Sequence, residues 1–198
     1  MPKPVEFHFD FVSPYSYLAV TQFDALRTRT GAEIVHKPFR VLELMRLVGN
    51  QPTPACQNKL NYARVDLDRW AKRYSVPFRR NPHMGGFDHD ALRRAALVAI
   101  ERDQGDAAVL AIFHALWAGE ANLAESAVLA SVLEEAGVDG SRVVEQSRSP
   151  EYEQQLEAAT REAAARGVFG SPTFFVGDQM FFGNDRLGFV ATALKQAD

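Results

Sequence analysis

The sequence predicts an α/β chain in which a β-α-β unit and a β-β-α unit flank a long helical stretch. Three observations carry this. Near the start, Val5, Phe7, Phe9 and Phe11 alternate with Glu6, His8 and Asp10, which is the period of a strand. From about Leu42 to Arg166 the chain is rich in Ala, Leu, Arg and Glu and offers no second strand-rich block. Near the end, residues 173–176 and 179–182 flank Gly177-Asp178, a hairpin-type turn between two strands.

The elements follow in order. A strand over 5–11 runs into Ser13-Pro14, with Ser as N-cap and Pro at the first helical position. That helix is expected to run to about Thr30 and to stop at Gly31, with a second strand near 33–38. Helical segments are expected near 57–74, 88–103, 106–118, 126–136 and 150–166. Ser149-Pro150 opens the last of these and Gly167 closes it, while Gly137 closes the one before. A final helix is expected near 185–197. Residues 1–40 and 167–198 therefore read as one domain and 41–166 as an inserted helical domain. Without the insertion the order is βαβ-ββα, the order of the thioredoxin fold.

Composition narrows the function. Of 198 residues, 46% are hydrophobic and 24% charged, an ordinary globular balance. The net charge of -3 gives no general reason to expect nucleic acid or an acidic membrane as partner. Cys56 is the only cysteine, so an intrachain disulfide is excluded, which fits a reducing compartment. The start lacks an apolar run behind basic residues, and no apolar stretch reaches membrane-spanning length. The expectation is a soluble, cytoplasmic protein. A G-x-S-x-G elbow, a phosphate-cradling Gly loop and a dinucleotide fingerprint are all missing from the sequence. His83 and His89 have no third ligand at suitable spacing, so no metal site is expected.

The strand-to-helix turn is the most informative place. Redox exchange needs a thiolate, which neither Ser13 nor Ser16 supplies. What a helix start does offer is free backbone N–H groups and a partial positive charge, a place that favours an anion. A ligand thiol brought there would be stabilised as thiolate, with the Ser13 hydroxyl as donor. Ser before Pro is also an ordinary N-cap. Ser16, about one turn along, reads as a packing or capping residue. Tyr15 and Tyr17 could line a ligand site or belong to the core.

Three stretches carry a resemblance: FDFVSPYSYLA at 9–19, LNYARVDLDRWAKRYSVPF at 60–78 and GVFGSPTFFVGDQMFFGNDRL at 167–187. The chain resembles the 2-hydroxychromene-2-carboxylate isomerases, which share a DsbA-like thioredoxin fold and are related to the kappa-class glutathione transferases. In thioredoxin-like oxidoreductases the first turn carries Cys-x-x-Cys; here it reads Ser13-Pro14-Tyr15-Ser16. Gly170-Ser171-Pro172-Thr173 is similar to their cis-proline loop. Ser171 departs from the isomerases, which usually carry Val there, and 79–90 matches less well.

The resemblance implies a glutathione-dependent isomerase with glutathione as cofactor, acting on a small aromatic carboxylate, and a homodimer; a kappa-like glutathione transferase and a non-catalytic glutathione-binding thioredoxin-fold protein are the alternatives. It implies that Ser13 stabilises the glutathione thiolate. The backbone at Ser171, beside Pro172, would pair with the cysteinyl part as though adding a strand. At Asn184-Asp185-Arg186, Asn184 and backbone N–H groups would hold the γ-glutamyl carboxylate, and Asp185 its ammonium; Asn or Asp there is also a simple helix cap. For the substrate carboxylate the candidates are Arg40, Asn50, Lys59 and His83, with Arg79 and Arg80 beside them.

Overall fold

The computed structural model describes residues 4–196. The chain begins with strand β1 (Pro4–Phe9), helix α1 (Pro14–Val20), α2 (Phe23–Thr30) and strand β2 (Glu33–Pro38). It then makes α3 (Val41–Leu47), α4 (Gln57–Tyr74), α5 (His89–Glu101), α6 (Gly105–Trp117), α7 (Ser126–Glu135), α8 (Gly140–Gln146) and α9 (Pro150–Ala165). It closes with β3 (Thr173–Val176), β4 (Gln179–Phe182) and α10 (Leu187–Gln196). The sheet order is β2-β1-β3-β4, with β1 parallel to β2, antiparallel to β3, and β3 antiparallel to β4. The architecture is the expected thioredoxin-like one, with a helical stretch between β2 and β3.

Both faces of the sheet are covered. Phe7 and Phe9 of β1 stack on each other, Phe7 stacks on Phe174, and Phe9 and Phe11 reach Phe113 of α6. These rings are fully buried in the main core. On the other face Phe39, Val41, Leu44, Ala163, Val168 and Phe175 form a smaller cluster that seats α3 and α9. His8 and Asp10, on the polar side of the alternation, are therefore buried as well. Burial pushes the His8 imidazole pKa down despite its bond to Glu6.

Several expected boundaries shift for identifiable reasons. The single helix expected to Thr30 breaks at Thr21-Gln22. The Thr21 hydroxyl donates to the Leu18 carbonyl at 2.7 Å, and such back-bonding competes with the helix ladder. Gly31 does close α2, at φ +68. The strand expected over 5–11 ends at Phe9, because Asp10 turns away to other partners. Two short helices, α3 and α8, lie outside the sequence expectation. In α3 the first N–H, that of Val41, is capped by Asp10 Oδ2 at 2.8 Å from 31 positions away. In α8, Gly140 lies against α7 so closely that a Cβ would stand 2.1 Å from the Ala130 carbonyl oxygen. The last helix opens with a 3-10 turn, Asn184–Arg186, and residue 197 lies outside the described residues.

Asp10 joins the pieces. Its side chain is 0% exposed and that of Arg93, from α5, 8%. Arg93 donates to it through Nε at 2.9 Å and through Nη2 at 2.7 and 2.8 Å. Val41 and Val12 N–H groups complete its shell. The pair continues outward: Arg93 binds Asp90, Asp90 binds Arg40, and Arg40 binds Glu153 of α9.

Removing one partner of a buried pair leaves an uncompensated charge, so Arg93→Leu should lower unfolding free energy by about 3–5 kcal/mol. Arg161→Ala, which breaks the exposed pair with Glu157, should change it by less than about 1 kcal/mol. Urea denaturation of both variants checks the contrast. A pH effect follows from Asp90. Burial raises its carboxyl pKa, but the hydrogen bonds and charges of Arg40 and Arg93 outweigh this and hold it below its ordinary value. Its contribution is complete above the unfolded carboxyl value of about 4 and fades as pH falls below it. Melting temperature measured against pH should show Asp90→Asn less stable than wild type at neutral pH, with the difference shrinking in acid.

Candidate active site at the serine turn

Ser13 does cap α1: its hydroxyl oxygen accepts from the Ser16 N–H at 3.3 Å, and Pro14 follows at the first helical position. Its proton goes elsewhere. Ser13 Oγ donates to the Ser171 carbonyl at 2.8 Å, across 158 residues. The Ser171–Pro172 peptide bond is cis. The Ser171 hydroxyl in turn pairs with Ser16 Oγ at 2.7 Å and accepts from the Asp10 N–H at 2.9 Å. Turn and proline loop are thus stitched by three hydroxyls. Ser16 is fully buried and Ser13 is 8% exposed, so of the two serines of the turn Ser13 is the less enclosed, between the half-buried Pro14 and Tyr15 and the half-buried Ser171.

Unpartnered backbone donors lie in the turn, the proline loop and the start of the last helix. Among the described residues the N–H groups of Tyr15, Ser171, Asn184 and Asp185 have no partner. Pro14 contributes no N–H, so Tyr15 offers the first free donor of α1. Asn184 is buried, and its amide and carbonyl meet the Tyr74 hydroxyl at 3.4 and 3.2 Å. Asp185 binds Arg186 at 2.6 Å, and both are exposed. The turn between them and β4 requires glycine: Gly183 has φ +105, and a Cβ there would lie 2.4 Å from Asp185 Oδ1.

The substrate candidates separate. Lys59 is exposed and lines a cleft of about 420 Å³ with Tyr15. Asn50 donates to the Phe169 carbonyl at 2.8 Å and accepts from the Gln51 N–H, so it braces the loop leading to Ser171. His83 is exposed at the start of the 3-10 turn Met84–Gly86, its N–H held by buried Asn81. Arg40 is not brought to the turn as a free cation: Asp90, Glu153 and Glu43 occupy its guanidinium, and its pKa is held above the ordinary arginine value because these acids outweigh burial. Among the described residues no three His, Cys, Asp or Glu side chains converge as metal ligands. Within those residues, too, no helix is long and apolar enough to cross a membrane.

Sequence reasoning misses Asp10, Arg93 and Asp66. Asp10 reads as one more polar residue in an alternating strand. Asp66 has a legible signal: it falls seven residues after Lys59 and four after Tyr62, on one helical face.

A thioredoxin-like sheet whose first turn and proline loop are joined by hydroxyls defines a thioredoxin-fold protein without a redox pair at that turn. The chain belongs to the DSBA-like thioredoxin domain family, which matches it over residues 4–195, and within it to the family of 2-hydroxychromene-2-carboxylate isomerases. It is 36% identical over 197 residues to the 2-hydroxychromene-2-carboxylate isomerase of Sphingobium xenophagum, covering 98% of this chain and 99% of that one. Glutathione S-transferase kappa 1 of Caenorhabditis elegans is 28% identical, covering 99% of this chain and 93% of its own. A solved 2-hydroxychromene-2-carboxylate isomerase structure superposes with a TM-score of 0.85 at 31% identity, covering 98% and 95%.

Ser171 explains itself in this geometry. Ser171→Val leaves the buried Ser16 hydroxyl and the Asp10 N–H without partners, which should cost about 1–3 kcal/mol. Pairing it with Ser16→Ala removes one of those orphans, so the double variant should lose less than the sum of the two single losses. Chemical denaturation of the three variants measures the coupling.

Proposed function

We propose that this protein is a glutathione-dependent isomerase that converts 2-hydroxychromene-2-carboxylate, or a close analogue, to the trans unsaturated aryl pyruvate. The observation that carries the reading is the Ser13 hydroxyl bonded to the Ser171 carbonyl, with the N–H groups of Tyr15 and of Ser171 itself left without partners. Such a donor set suits a sulfur anion, and the unpartnered Ser171 N–H suits the carbonyl of an extended peptide. The isomerase relatives supply the reaction, and the kappa transferase relative supplies the thiol by its name.

When bound, glutathione would supply a thiolate. Once the hemiketal ring C–O bond opens to ketone and phenol, with the hemiketal proton passing to the phenol oxygen, the thiolate would add to the double bond conjugated with that ketone. After rotation the same C–S bond would break to return the thiolate. The protein's part is electrostatic. Ser13 releases its proton from the Ser171 carbonyl and turns it to the sulfur. The Tyr15 N–H and the start of α1 add a fixed dipole. Asn184 and Asp185 offer two free N–H groups to the γ-glutamyl carboxylate, and Asp185 offers a counter-charge to its ammonium if Arg186 swings aside. The Tyr15 phenol stays protonated, because burial and then the nearby Asp66 charge push its pKa up. Activity between about pH 6 and 9 therefore follows the thiol, whose free pKa is about 8.5.

The test is an ultraviolet assay of the chromene acid with a thiol count before and after. Conversion should require glutathione and leave its amount unchanged. Ser13→Ala should slow turnover about 100-fold, the equivalent of roughly two pKa units of thiolate stabilisation. Glutathione consumed one for one would make the protein a transferase instead. Conversion at full rate without glutathione would overturn the reading.

A further inference from the structure

The cleft beside the turn has an unusual wall. Lys59, Tyr62, Ala63 and Asp66 occur at i, i+3, i+4 and i+7 of α4, one stripe of a helix. The first three line the cleft together with Tyr15, Thr53 and Asn58. Its volume of about 420 Å³ is that of a small-molecule site. Behind the wall, Asp66 Oδ2 accepts from the Tyr15 hydroxyl at 3.1 Å and Oδ1 from the Tyr62 hydroxyl at 3.3 Å. One carboxylate thus holds two rings from two elements, one of them two residues beyond Ser13.

Tyr62 is 61% exposed, so packing does not fix its ring; the bond to Asp66 does. An exposed aromatic held at a cleft rim presents a flat apolar face to whatever enters. Lys59, one turn before it, has no carboxylate partner among the described residues. Asp66 is half-buried with both oxygens engaged by hydroxyls, and Lys59 is the one cation among the residues that line the cleft. Flat walls, a small alanine between them and one unpaired cation match a planar aromatic acid.

We propose that this cleft binds the aromatic carboxylate substrate, with Lys59 facing the carboxylate and Asp66 holding the Tyr15 and Tyr62 rings against the aromatic plane. The inference rests on the isomerase reading and adds where that substrate lies. Asp66 touches no reacting atom; it is a positioning residue. Its effect falls on recognition of the ring rather than on thiol ionisation at Ser13.

The probe is trans-2-hydroxycinnamate, which keeps the phenol ring and carboxylate but lacks the reactive ketone. Its binding is measured by calorimetry on wild type, Asp66→Asn, Tyr62→Phe and Lys59→Met, with hexanoate as a non-aromatic acid of comparable length. Asp66→Asn should weaken the probe about ten-fold, because one tyrosine loses its acceptor and ring order is lost. Tyr62→Phe, an exposed change that leaves the fold alone, should weaken it about three-fold. Lys59→Met should weaken both acids about equally, whereas Asp66→Asn should weaken only the aromatic one. Glutathione affinity should stay within about two-fold in all three, since Asp66 meets Tyr15 only at its phenol and none of the three bonds to the donor N–H groups or to Ser13. A wild type that ignores the probe, or an Asp66→Asn variant that binds both acids as wild type does, overturns the inference. A wild type that binds the probe as described yet fails to isomerise the chromene acid overturns the isomerase reading and leaves the cleft assignment standing.

Discussion

The buried pair between Asp10 and Arg93 sets the position of everything near the site. Its carboxylate gathers a guanidinium from α5, the first N–H of α3 and the N–H of Val12. The Asp10 backbone is engaged as well. Its carbonyl accepts from the Ser13 N–H at 3.0 Å, and its N–H donates to Ser171 Oγ. One residue therefore locks the serine turn, the proline loop and the helical stretch together. Desolvating both charges is expensive, and the pair is tolerable only because its hydrogen bonds are so nearly complete. The same completeness makes the joint stiff, which a site built from precise donor positions needs.

Replacing thiols by hydroxyls changes what this turn can do while keeping its shape. A dithiol turn must hold two sulfurs that trade electrons. Here Ser16 is withdrawn into the stitch with Ser171, and Ser13, itself buried, keeps one hydroxyl proton on the Ser171 carbonyl. The hydroxyl already has an acceptor in the Ser171 carbonyl, so it is oriented before any ligand arrives. An anion beside it competes for that proton in a partly dry setting, where charge-assisted hydrogen bonds are stronger than neutral ones. The N–H groups of Tyr15 and Ser171 have no partner to give up.

Much of the fold is legible in the sequence because its signals are local. The Phe-x-Phe alternation, Ser13-Pro14, Ser149-Pro150 and the Gly177-Asp178 hairpin each act over a few residues. The helix expected over 57–74 has those ends in the structure, whereas the short helices leave no such trace. α3 has no side-chain cap of its own and borrows one from Asp10, which no window of sequence contains. The site shows the same division. Ser13 and Ser171-Pro172 stand out by motif, but the bond between them spans 158 positions. Arg40 reads as an available cation because its sequence gives no hint of Asp90 and Glu153, which meet it only in three dimensions. Lys59 looks the same from sequence and turns out to be unpaired among the described residues, at the mouth of a cleft.

The central claim is that the serine turn ionises a thiol. Glutathione labelled with carbon-13 at the cysteinyl β-carbon reports that ionisation directly, since its chemical shift follows the sulfur's charge. The titration is run with the labelled peptide bound to wild type and to Ser13→Ala, from about pH 5 to 9. The midpoint in the wild type should lie roughly two units below the free value of about 8.5, and most of that depression should vanish in the variant. Equal midpoints in the two proteins would contradict the claim, and Ser13 would then be a helix cap and a tether to the proline loop.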